Sequence, residues 1–156
     1  MHLRRPCWSI MLGLALVVGP APAAVASDAS EIEAFGILGV WAIDCSQPPS
    51  GENANIERSV ASAGKVHSLW RFDEKGDGYL AELFDLELRG TDTLAMTNIN
   101  LRDGNRFRVV LQKRDDRSRS IESTGSDGKK LISDGKFVAS GLPTPSFTRC
   151  AQKPVG

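Results

Sequence analysis

Arg106-Phe107-Arg108-Val109-Val110-Leu111-Gln112-Lys113 is the stretch whose pattern decides the fold. Phe107, Val109 and Leu111 fall on one side of an extended chain, and Arg106, Arg108 and Gln112 fall on the other. This is the period-two alternation of a strand with one apolar and one wet face. Turn residues bracket it, with Asp103-Gly104-Asn105 before and Asp115-Asp116 after. The same punctuation recurs at Gly76-Asp77-Gly78, Gly90-Thr91-Asp92, Gly125-Ser126-Asp127-Gly128 and Asp134-Gly135. Turns at intervals of about ten to thirteen residues suit consecutive antiparallel strands better than helices. The chain therefore reads as all-β, an antiparallel meander.

The neighbouring segments extend this reading. In Val66–Phe72, the residues Val66, Ser68, Trp70 and Phe72 share one face, while His67 and Arg71 share the other. Leu94–Leu101 is rich in Thr, Ile and Asn and fits a strand less cleanly. Tyr79–Arg89 is ambiguous: Leu80, Leu83, Phe84 and Leu88 have helical spacing, and its Leu, Ala and Glu content favours a helix. It also reads as a strand through Leu80, Phe84, Leu86 and Leu88, and the extended segments on either side favour that choice. Gln47–Ala54 and Gly141–Ser146 each hold two prolines, which cannot donate to a sheet ladder, and so read as loops. The first of these is the better surface for a partner, because loops on a rigid scaffold often carry function.

The N-terminus has the order of a signal peptide. Arg4 and Arg5 supply the positive region, Ile10–Val18 the apolar run, and Ala24-Val25-Ala26 the small residues before a cut at Ser27. A membrane-spanning helix needs roughly 20 apolar residues, about twice this run. The expected organisation is a signal peptide over 1–26 and one β-rich domain over 27–156, periplasmic or secreted, with no membrane insertion after cleavage. The full chain carries 19 basic and 19 acidic residues. Loss of Arg4 and Arg5 leaves 17 against 19, a formal charge of −2. So balanced a chain has none of the basic excess that binding to nucleic acid requires, and no nucleic-acid partner is expected.

Cleavage also removes Cys7 and leaves Cys45 and Cys150 as an even pair bound for an oxidising compartment. A disulfide between them is expected, since neither a CxxC spacing nor a neighbouring histidine points to redox or metal chemistry.

The start of the domain resembles a known group. A short helical lead-in, Glu31–Gly36, precedes Gly39-Val40-Trp41, which is similar to the G-x-W signature of the lipocalin and calycin barrels. The resemblance implies a small closed barrel of about eight strands. In it, Trp41 closes one end and a basic residue of the last strand, here Arg149, packs across the indole. Exported inhibitors of bacterial metalloproteases resemble this arrangement too, but their cysteines lie close in sequence, whereas Cys45 and Cys150 are far apart. A β-sandwich with Trp41 in its core is the alternative architecture.

Catalytic chemistry needs a nucleophile with a base, a carboxylate pair or a metal. After Ser27 the chain has one histidine, His67, with no second histidine and no free cysteine to complete a site. Asp73, Asp77 and Gly78 match a calcium loop only in part, because Lys75 stands where an acidic ligand belongs and Phe84 where the closing glutamate does. No cofactor and no metal is expected. The basic residues Arg106, Arg108, Lys113, Arg114, Arg117 and Arg119, interrupted by Asp115 and Asp116, read as a solvated face. The function expected is a barrel binding a small apolar or amphipathic ligand, with Trp41, Trp70 and Phe72 as its lining. A module binding an envelope protein is the second reading, and an enzyme with a cryptic acidic site the third.

Overall fold

A computed structural model describes residues 27–76 and 78–151. The signal-peptide reading of 1–26 lies outside the described residues, as do Asp77 and residues 152–156.

The turn residues divide the chain much as their spacing predicts. A helix α1 (Asp28–Phe35) is followed by β1 (Gly39–Ala42), β2 (Asn55–Val60), β3 (Val66–Arg71), β4 (Gly78–Leu88) and β5 (Thr93–Asn100). Then come β6 (Arg106–Arg114), β7 (Arg117–Gly125), β8 (Lys130–Ser133), β9 (Lys136–Phe137) and β10 (Phe147–Arg149). Each strand from β1 to β8 pairs antiparallel with the next, and β10 pairs with both β1 and β7. That double pairing closes β1–β7 and β10 into an eight-stranded antiparallel barrel, with β8 and β9 as an additional hairpin running on from β7. The closed barrel rather than the sandwich is the architecture.

The closing seam is set by Trp41 opposite Arg149 and Ala42 opposite Thr148 on one side, and by Phe147 opposite Ser118 on the other. Cys45 and Cys150 form the expected disulfide beside it, with their Cα atoms 5.4 Å apart and 105 residues between them in sequence. The loop Gln47–Ala54 is organised by Asn53, which is buried. Its amide donates to the carbonyls of Asp44, Gln47 and Pro48, and its oxygen accepts from the Asp44 N–H at 2.8 Å.

Helix α1 begins three residues before Glu31 at a proper cap: Ser27 accepts a hydrogen bond from the Ser30 N–H, and Asp28 and Glu31 place negative charge in the first turn. It ends at Gly36 in the left-handed conformation, with φ of 70°. Ile32 and Phe35 are buried and join Ile37, Trp41, Leu86, Leu94 and Leu111 in the core. The helix thus stoppers one end of the barrel, and the Lys113 ammonium lies 5.7 Å from the centre of the Phe35 ring.

Tyr79–Arg89 is a strand, but its inward face differs from the one expected. Tyr79, Ala81 and Leu83 point inward up to Phe84, after which a bulge between Phe84 and Glu87 breaks the register and turns Leu86 into the core. Asp85 sits at the bulge with φ of 51°. Leu80 and Leu88 are exposed. The bulge leaves the Leu86 N–H without a ladder partner, and Asp28 of α1 accepts it at 3.0 Å.

Candidate functional site

The inward faces of the strands fill the helix end of the barrel and leave space toward the other. Trp41 shows why. It is fully buried, its indole N–H donates to the Ile37 carbonyl at 2.8 Å, and it packs in the core with α1 rather than lining the cavity beyond it. Arg149 stands directly opposite it in register, as the resemblance implies, but is exposed. Among the described residues, the cation set over an aromatic ring is Lys113.

Beyond Trp41 lies a cavity of about 240 Å³. Its apolar wall comes from Ile56, Leu83, Met96, Phe107, Val109 and Leu111, each at an inward position of its strand. The face Phe107, Val109, Leu111 that declares β6 a strand is therefore the wall of the cavity. The adjoining β7 side is polar: Ser118, Ser120 and Ser123 all line the cavity, the inward face being carried past a bulge between Ser120 and Ser123.

Of the three residues expected to line a ligand site, Trp70 borders this cavity. Phe72 borders a separate surface groove with Tyr79, Asn100 and Arg102. The two rings still belong to one group: Trp70 stacks on Tyr79 with centroids 5.7 Å apart and meets Phe72 at 6.2 Å, and Phe147 stands edge-on to Trp70 at 6.0 Å. These rings gather near the end of the barrel away from α1. Gly78 makes the close approach of β3 and β4 there, since a Cβ at that position would run into the Trp70 carbonyl oxygen.

The feature the sequence reading missed is Arg58. It lies on the same face of β2 as Ile56, is 6% exposed, and lines the cavity. Loss of water lowers the pKa of its guanidinium to about 10, so it remains a cation at neutral pH, while the nearby Tyr79 hydroxyl favours the charge. Burial in turn pushes the Tyr79 phenol up to about 12, with Arg58 acting in the opposite direction. Arg58 Nη1, Trp70 Nε1 and Asn98 Oδ1 all border the cavity, and none has a hydrogen-bond partner. Such orphaned groups are rare in buried settings and normally mark water or a bound molecule. The signal was in the sequence: in Ile56-Glu57-Arg58, alternation puts a full charge on the apolar face.

His67 lies on the outward face of β3, half-buried, opposite Ser59 and Glu82. Of the basic run, Arg106, Arg114 and Arg117 are exposed, whereas Arg119 reaches the rim of the cavity and donates to the Gln112 amide oxygen at 3.3 Å. Among the described residues, no group of three or more His, Cys, Asp or Glu side chains is placed to hold a metal ion.

Comparison with known proteins adds no relative: no family model matches the chain, and no curated protein and no solved structure is significantly similar to it.

Proposed function

We propose that this protein is an exported barrel that holds a small amphipathic molecule in its interior, acting in the periplasm or after secretion. The observation that carries the reading is the cavity of about 240 Å³, mostly apolar with serines of β7 along one side. Binding sites are typically concave and mostly apolar, with a few placed polar groups, and drug-sized ligands occupy about 300 to 1,000 Å³. The space here therefore suits a ligand smaller than those. The disulfide fits an oxidising, non-cytoplasmic setting.

Trp70 is the built-in probe. Saturable change of indole fluorescence on titration with amphiphiles is the expected result, with Trp70→Ala weakening binding by well over about 1 kcal/mol. A broad amphiphile panel that leaves the fluorescence unchanged, with no copurifying ligand in native mass spectrometry, would sink the proposal.

A module binding an envelope protein is the second reading. The observation favouring it is the β8–β9 hairpin and its following loop, where Leu131, Phe137, Val138 and Leu142 are all exposed, Val138 at 56% and Leu142 at 64%.

A further inference from the structure

The charges around the cavity are of one sign. Among the described residues, Arg58 and Arg119 line it and no aspartate or glutamate does; the acidic group felt by its Tyr79 is Asp103, which borders the neighbouring surface groove. The carboxylates that form ion pairs elsewhere do so with other partners: Glu82 with Lys65, Glu57 with Arg71, and Glu87 with Arg89 and Arg108. A guanidinium taken out of water is costly unless it is paired. Arg58 is taken out of water, and its Nη1 is unpaired. Trp70 Nε1, a donor only, is orphaned on the same cavity, and the serine hydroxyls of β3 and β7 stand around it. An interior so built is short of one negative charge and several acceptor atoms.

We infer that Arg58 anchors the anionic head of the ligand, and that the ligand is a small amphipathic monocarboxylate. The inference rests on the binding-barrel reading and deepens it. A planar carboxylate matches the guanidinium fork and supplies the missing acceptors, and its single charge neutralises Arg58, the one deeply buried cation among the described residues. Its hydrocarbon portion lies against Leu83, Met96 and Val109 on the apolar wall. Arg119 sits exposed at the rim, held by Gln112, and assists entry rather than anchoring.

The test is calorimetric titration of the oxidised mature protein with carboxylates from hexanoate to dodecanoate and with the alcohols of the same chain length. Wild type, Arg58→Met, Arg58→Lys and Arg119→Gln are compared, each checked by circular dichroism. In the wild type, the best carboxylate should bind at least about tenfold more tightly than its alcohol. Arg58→Met should erase that preference by weakening the carboxylate far more than the alcohol, Arg58→Lys should restore part of it, and Arg119→Gln should change the preference by less than about threefold. Equal binding of carboxylate and alcohol by the wild type would overturn the anion anchor and leave the binding barrel standing. So would an unchanged carboxylate preference in folded Arg58→Met. Folded wild type that binds neither series would overturn both. If Arg58→Met fails to fold, the wild-type preference and the Arg58→Lys comparison still decide.

Discussion

The residue that most shapes the interior is Arg58, and the group best placed to report on it is Tyr79, the single tyrosine of the chain. Phenolate absorbance therefore follows this side chain alone. Titration of the folded protein should show ionisation near pH 12, and the urea-unfolded protein near pH 10. The linkage has a definite sign. Between about pH 10 and pH 12 the unfolded chain loses the Tyr79 proton first, so this group's contribution to stability is present below pH 10 and declines through that window. Arg58 acts oppositely: its folded pKa is depressed to about 10, so the unfolded state holds the extra proton above that pH and stability rises there. A folded-state phenol titrating near its ordinary value would show that the Tyr79 environment is wetter than described.

At the scale of elements, the joint between α1 and β4 is where local pattern and tertiary structure part company. Helical spacing of Leu80, Leu83, Phe84 and Leu88 competes with alternation because the strand contains a bulge, and a bulge shifts the apolar phase by one residue. Each half alternates correctly, Tyr79-Ala81-Leu83 before the bulge and Leu86 after it, yet no single period fits both. The strands without such a break, β3 and β6, were legible with their faces, and so were the hairpin turns between them, because two-fold alternation and turn chemistry are local properties. The site was less legible. Trp70 could be placed by alternation, but the filling of the barrel around Trp41 depends on where α1 docks, which is a long-range fact. The bulge also creates a dependence that can be measured. Asp28 accepts the Leu86 N–H, so Asp28→Ala leaves a buried donor unpaired and should cost about 1 to 3 kcal/mol in urea unfolding. Asp28→Asn, which keeps an oxygen acceptor, should recover most of it. A loss below about 0.5 kcal/mol in Asp28→Ala would show that water reaches the bulge.

For the whole molecule, the Cys45–Cys150 bridge encloses nearly the entire domain. Loop-closure entropy assigns a bridge of this span about 4 to 5 kcal/mol, comparable to the lower end of a domain's net stability. The expected measurement is equal losses for Cys45→Ser and Cys150→Ser, with the double mutant no worse than either; additive losses would mean that the two residues act separately. The seam beside that bridge also bears on how the chain reaches its fold. Apart from the two pairings made by β10, every ladder joins sequential neighbours, and such local contacts form early. Closure alone joins segments from opposite ends of the domain, and it depends on the three residues of β10. A nascent chain emerging from its N-terminal end therefore assembles a twisted open sheet whose two bare edges, β1 and the first half of β7, wait for the last strand to be made. Until then both edges can accept a foreign strand. The interval between synthesis and closure is when the protein is most exposed to aggregation.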